Sequence, residues 1–173
     1  MLFRAYFTAI DGRRNSKARQ YRVNLLPTTI HVFFGMIVGA TADGRKAGFP
    51  LSDGISPMQG ADTRGPTAVI RSVGKLDHVR TGETLLNQRF LPDVLRDESG
   101  LRKLGDLVRT YFCLDGHHIQ LNVVDSETLR RTQEPPSEHC DLIVRVAGYN
   151  DYFNSLDRAL QDEIIARTAH EEL

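Results

Sequence analysis

The sequence predicts an α/β fold in one unit with long glycine-rich loops, and three observations carry that expectation. From about residue 100 the chain alternates helix-like and strand-like segments in the order helix, strand, helix, strand, helix, which suits neighbouring strands joined through helices. Between Gly35 and Gly65, seven glycines with Pro50 and Pro57 interrupt every period, so this stretch is expected to be a long ordered loop. No linker, internal repeat or low-complexity tract divides the 173 residues, so residues 1–173 are read as one domain or one piece of one.

In chain order, residues 1–10 show no clear period but are apolar enough to expect burial, and Asp11-Gly12-Arg13-Arg14-Asn15 reads as a turn leading into a basic, solvated stretch. The abrupt apolar start, Met1-Leu2-Phe3-Arg4-Ala5-Tyr6-Phe7, suggests a chain that begins inside a larger architecture. Thr29-Ile30-His31-Val32-Phe33-Phe34, after Pro27, predicts a strand. Pro66 suits a first helical position, and Val69, Val73 and Leu76 repeat at helical spacing behind it. Asp77 to Phe90 is ambiguous: Asn87 and Gln88 either line a cavity or form the wet side of a short helix, and the helix is the preferred reading.

A firmer helix is predicted from about Gly100 to Phe112, with Leu101, Leu104, Val108 and Tyr111 on one face and Asp97 or Ser99 as its cap. His118 to Val124 alternates polar and apolar, a half-buried strand whose second face carries His118, Gln120 and Asn122. Asp125 or Ser126 caps a short helix through Thr132, which Pro135-Pro136 breaks. Leu142-Ile143-Val144-Arg145-Val146-Ala147 is the next strand, ending at Gly148. Asn154 or Ser155 then caps a helix in which Leu156, Leu160 and Ile164 recur every four residues.

Charge and composition narrow the function. Lys and Arg total 22, as do Asp and Glu, so no net field favours nucleic acid or an anionic membrane, and small-molecule chemistry or protein partners are expected. Two cysteines, Cys113 and Cys140, make no disulfide framework, and without a signal peptide the expected compartment is a reducing cytoplasm. Gly39-Ala40-Thr41-Ala42-Asp43-Gly44-Arg45-Lys46 approaches a phosphate-binding loop, but Arg45 stands in the lysine place and no hydroxyl follows. It reads instead as an Asp43-Gly44 turn flanked by solvated cations. Successive residues on a strand face opposite sides, so His117 and His118 are not expected to share a metal, and no metal or bound cofactor is expected. Cys113, at an apolar helix end, reads as a buried, inert thiol.

Gly148 remains. As a lone glycine closing a strand it reads as a turn residue. The residues around it say more: Arg145-Val146-Ala147-Gly148-Tyr149, 25 residues from the end of the sequence, resembles the signature of the glycyl radical enzymes. Further stretches resemble the same family in its order, chiefly its glycerol or diol dehydratase, choline trimethylamine-lyase and pyruvate formate-lyase-like branch. They are 24–29, 39–48, 53–62, 116–124 and 160–168. The resemblance runs from about Asp11 to the end.

It implies the carboxyl-terminal part of an α/β barrel that stores a radical at the Gly148 α-carbon. In the family a separate iron–sulfur S-adenosylmethionine activating enzyme removes the glycine hydrogen, and the radical passes to a cysteine that attacks substrate. By position, Arg145, Val146, Ala147, Tyr149 and Phe153 would form the loop this activating enzyme recognises, with loop packing the plain alternative.

The family's Gly-Cys-Val-Glu motif is absent from the 173 residues, and neither Cys113 nor Cys140 corresponds to its cysteine. The chain is therefore not expected to turn over substrate alone, and its other expected partner is the cysteine-bearing barrel portion or a homologous enzyme. A split-enzyme chain, a stand-alone glycyl radical cofactor subunit and an inactive truncated piece fit the same residues. Glu83 stands where the family usually has a second glycine, which questions close packing of that loop.

Overall fold

A computed structural model describes residues 2–134 and 139–173, with side chains from Ala5 onward. The mixed α/β architecture is as expected. Its centre is a parallel sheet of order β2-β1-β5, formed by β1 (Leu85–Phe90), β2 (His118–Val123) and β5 (Ala169–His170). β1 and β2 pair along their whole length, with Asn87 beside Gln120 and Arg89 beside Asn122. The ambiguous stretch before Phe90 thus ends in a strand, buried at every residue, not in a helix.

Because alternate side chains leave a strand on opposite sides, the sheet has two unlike faces. Leu86, Phe90, Ile119 and Leu121 join α3 (Pro66–Val73) and α4 (Glu98–Cys113) in one apolar core with Val69, Ile70, Val73, Leu107 and Tyr111. Asn87, Arg89, Gln120 and Asn122 leave the other side. There a second apolar core gathers α2 (Ile30–Ile37), α5 (Ser126–Gln133), the hairpin of β3 (Ile143–Arg145) and β4 (Asn150–Tyr152), and α6 (Arg158–Ala166).

Several expectations need correction. Leu2–Ile10 is a helix, α1, and at its described positions only Phe7 is buried while Tyr6 is exposed. The predicted strand over Thr29–Phe34 is helix α2. Its β-branched and aromatic residues suit a strand, but packing overrides that weak preference: His31, Val32 and Gly35, one helical face, turn inward. Gly35 lies so close to the following loop that a Cβ there would stand 2.3 Å from the Phe49 carbonyl oxygen.

The α4 stripe is rotated from the expected one. Leu107 and Tyr111 are buried and Leu101 is exposed, while Asp97 caps the helix by accepting from the Gly100 N–H at 2.7 Å. Asp125 caps α5 through the Thr128 N–H, as expected. The last helix starts after Asp157; Asn154 and Ser155 belong to a preceding 3-10 turn and do not cap it. Pro135-Pro136 lies outside the described residues.

The glycine-rich segment is an ordered loop as predicted, but Arg45 is not a solvated cation. It is buried, and its guanidinium donates to the carbonyls of Val38, Gly39, Lys46 and Phe49, so one side chain fastens both limbs of the loop.

Candidate functional site

Gly148 lies at the tip of the β3–β4 hairpin, where Arg145 pairs with Asn150 and the Val146 N–H donates to the Tyr149 carbonyl at 3.0 Å. That leaves Ala147 and Gly148 to turn the chain. Gly148 does so with φ +87°, a conformation side chains disfavour, and the space beside its α-carbon is open, with only a Leu26 methyl within 4 Å of an added Cβ. Gly148 and Tyr149 are exposed, Arg145 is partly exposed, and Val146, Ala147 and Phe153 are fully buried in or beside the second core. The residues of the expected recognition loop are therefore contiguous, but three of them carry packing in this conformation.

The hairpin has no backbone ladder to the parallel sheet; side chains of the polar face do that work. Asn122 accepts from the Arg145 N–H at 2.8 Å and donates to the Arg145 carbonyl at 2.9 Å, imitating a strand partner with its carboxamide. Asn87 donates to the Val146 carbonyl at 3.2 Å, and Gln120 accepts from the Gly148 N–H at 3.3 Å. Arg89 reaches the Ile164 carbonyl and the Ser126 hydroxyl, tying α6 and α5 to the same face.

Beneath the tip, Arg167 donates through Nε and Nη2 to the Glu163 carboxylate at 2.8–3.2 Å and lies 3.4 Å from Asp53. Its Nη1 donates to the Val146 carbonyl at 3.2 Å, so the cation spans the acids and the hairpin backbone. Gln59 donates to Glu163 at 2.9 Å, and His31 Nε2 lies 3.7 Å from the same oxygen. Burial acts to raise the Glu163 pKa, but Arg167 and His31 outweigh it and hold the carboxyl at about 2. Burial raises Asp53 against the opposing pull of Arg167. Burial would lower Arg167, and the two carboxylates reverse that and raise it. Burial, then the neighbouring Arg167 charge, lowers Arg89 to about 10.

Gln120 and Asn122 were visible in the sequence only as polar strand positions, and Asn87 only as a cavity lining or, by preference, the wet side of a short helix; Asp53, Glu163 and Arg167 had no assigned role. The Glu163 to Arg167 spacing, one helical turn, was the available signal, and such pairs ordinarily lie in solvent. Glu83 is partly exposed with its carboxylate 3.9 Å from His118 Nδ1, so its loop accommodates the larger side chain. Cys113 and Cys140 are both exposed, which corrects the expected burial of Cys113. Among the described residues no helix is long and apolar enough to cross a membrane, and no group of three or more His, Cys, Asp or Glu stands ready for a metal.

Comparison with known proteins agrees with this geometry. The glycine radical family model matches residues 51–154, which include the second part of the glycine-rich loop, strands β1 and β2 and the hairpin. Trans-4-hydroxy-L-proline dehydratase of Clostridioides difficile is 55% identical over 167 residues, 96% of this chain but 21% of that protein. The crystal structure of the Clostridioides difficile hydroxyproline dehydratase with trans-4-hydroxy-L-proline bound superposes with a TM-score of 0.93 at 54% identity, covering 98% of this chain and 22% of that one. The glycerol-bound B12-independent glycerol dehydratase from Clostridium butyricum gives a TM-score of 0.93 at 45% identity, over 98% and 22% of the two chains. The chain thus spans about a fifth of the relatives it matches. With the radical signature at an open hairpin tip and the family match extending across it, the chain belongs to the glycyl radical family and carries its glycine radical domain.

Proposed function

We propose that Gly148 is the radical site and that residues 1–173 act as the radical-bearing part of a glycyl radical lyase or dehydratase. The observation that carries this reading is the coincidence, at one residue, of the signature glycine, a positive φ and an unobstructed α-carbon. A carbon radical at a backbone α-position is stabilised by delocalisation onto the amide nitrogen and the carbonyl, and the centre must flatten for this. Glycine alone has no Cβ to resist the rotation.

The activating partner is a separate iron–sulfur S-adenosylmethionine enzyme. With its S-adenosylmethionine that enzyme would supply the hydrogen-atom abstraction, and Gly148 would give up one hydrogen atom from its α-carbon and keep the unpaired electron there. Arg145 and Tyr149 are reachable in the observed conformation. Val146, Ala147 and Phe153 serve recognition only with the tip drawn out of its core.

The second partner is the cysteine-bearing barrel portion of such an enzyme, with this chain supplying the last strands and helices of the barrel. The outer face of α2 supports that pairing: Phe33, Phe34, Met36 and Ile37 are exposed together, Ile37 by 80%, and Phe33 lines a surface pocket with Tyr149 beside the hairpin tip. An apolar patch on that scale is characteristic of a contact surface. The 173 residues alone then hold the radical without turning over substrate, and an anaerobic cytoplasm suits the chemistry.

Oxygen supplies the test, because it cuts the backbone at a glycyl radical. After anaerobic activation and exposure to air, the intact mass is expected to give way to two pieces divided at Gly148. An unbroken chain, from an activating enzyme shown to work on another member of the family, would overturn the proposal.

A further inference from the structure

Gln120 is a residue to which neither the signature nor the family match assigns a task, and its position is unusual. It is 2% exposed on β2, locked in register beside Asn87 by the parallel ladder, and its Oε1 accepts the N–H of Gly148 at 3.3 Å. Its Nε2 is buried without a hydrogen-bond partner. A carboxamide buried at the cost of one unpaired donor is held for what its oxygen does, since an unsatisfied buried group is destabilising. Asn122, two residues on along the same face, holds Arg145 by both backbone groups, so the strand entering the tip is fixed independently of Gln120.

We propose that Gln120 is a positioning residue for the Gly148 radical: its carbonyl oxygen fixes the plane of the Ala147–Gly148 amide and draws on the amide hydrogen, enriching the nitrogen that shares the unpaired electron. This rests on Gly148 as the radical site. Delocalisation requires the α-carbon plane and the amide plane to coincide, and at φ +87° they do not. Rotation about the N–Cα bond must bring them together. With the amide anchored by Gln120, that rotation is taken up on the carbonyl side of Gly148, where the tip is exposed. The hydrogen bond also strengthens electron donation from nitrogen, a purely electronic effect that packing does not imitate.

Two variants of the full chain separate the roles. Gln120→Met keeps the length of the side chain and removes the acceptor; Gln120→Glu keeps an acceptor oxygen at the same place. Amide exchange by NMR needs no radical. In Gln120→Met the Gly148 N–H is expected to exchange about fivefold faster, the loss of one ordinary hydrogen bond. The Val146 N–H, bonded to Tyr149 at the same tip, should be unchanged, and Gln120→Glu should restore Gly148 protection. Equal acceleration at both amides, or none at Gly148, overturns the assignment whatever the fate of the radical.

In the activated chain, the spacing of the paramagnetic resonance doublet from the Gly148 α-hydrogen should change in Gln120→Met and return towards the parent value in Gln120→Glu. An identical doublet in all three overturns the electronic role. Absence of any doublet in the parent chain, with Gly148 exchange behaving as expected, would instead contradict the reading of Gly148 and leave Gln120 as the holder of its amide.

Discussion

The two faces of the central sheet are built from the same two strands and are held by different physics. On one side Leu86, Phe90, Ile119 and Leu121 pack against α3 and α4, a contact that is apolar, non-directional and insensitive to charge. On the other, Asn87, Arg89, Gln120 and Asn122 reach across as donors and acceptors and end on the backbone of the hairpin and of α6. An apolar face sets that two layers meet. A row of carboxamides also sets where along the strand each backbone group must lie, because hydrogen bonds weaken steeply with misplacement. The face that meets the Gly148 hairpin is the one built from directional contacts.

Substitutions on one face or the other test this contrast. The largest effect is expected for Arg167→Ala, which strands Glu163 and Asp53 as buried acids without their cation. Unfolding in urea should show a loss of about 3–5 kcal/mol. Leu86→Ala, on the apolar face, is expected to cost about 3 kcal/mol by cavity formation, and unlike Arg167→Ala it should leave the pH dependence of stability unaltered. Asn122→Ala removes both side-chain bonds to Arg145 and should cost about 1–3 kcal/mol, with faster amide exchange at Arg145.

Glu163 has its pKa depressed on folding from the ordinary 4.5 to about 2, so its contribution is present above 4.5 and is lost as pH falls towards 2. Asp53, raised on folding, acts the other way and stabilises as it takes up a proton. Glu163→Gln should therefore flatten the acid limb of the stability profile between about pH 4.5 and 2, as measured by denaturation across that range. The smallest effect is expected for Arg109→Ala: its exposed pair with Asp106 on α4 should change stability by no more than about 0.5 kcal/mol.

Much of the frame was legible because it is local. The caps at Asp97 and Asp125, the Pro66 helix start, the alternating β2 strand and the long glycine-rich loop all follow from neighbours a few residues apart. What failed was decided at a distance. Ile30-His31-Val32-Phe33-Phe34 has the composition of a strand, but contacts with Phe49 and the second core make it a helix. Arg45 looked solvated because three of the four carbonyls it binds, those of Val38, Gly39 and Phe49, are brought to it by the fold of the loop, and only that of Lys46 is adjacent in the sequence. Gln59 and Glu163, joined by a 2.9 Å bond, are 104 residues apart, and no spacing rule links them. At the site, Gly148 was legible through its motif and turn chemistry. Of the carboxamides that hold the hairpin, Gln120 and Asn122 were visible only as the polar side of a strand and Asn87 only as the wet side of an expected helix, and their targets, single backbone atoms, leave no mark in the sequence.

Paramagnetic resonance of the purified chain, after anaerobic incubation with a family activating enzyme and S-adenosylmethionine, tests directly whether Gly148 takes up the radical. A glycine α-hydrogen doublet is expected that collapses in chain labelled with α-deuterated glycine and is absent from Gly148→Ala, whose methyl has room at the tip but is strained at φ +87°, so that its folding is checked by circular dichroism. A folded parent chain that gives no doublet, beside an activating enzyme proven on another family member, would contradict the assignment of the radical to Gly148, as would a doublet that survives in Gly148→Ala.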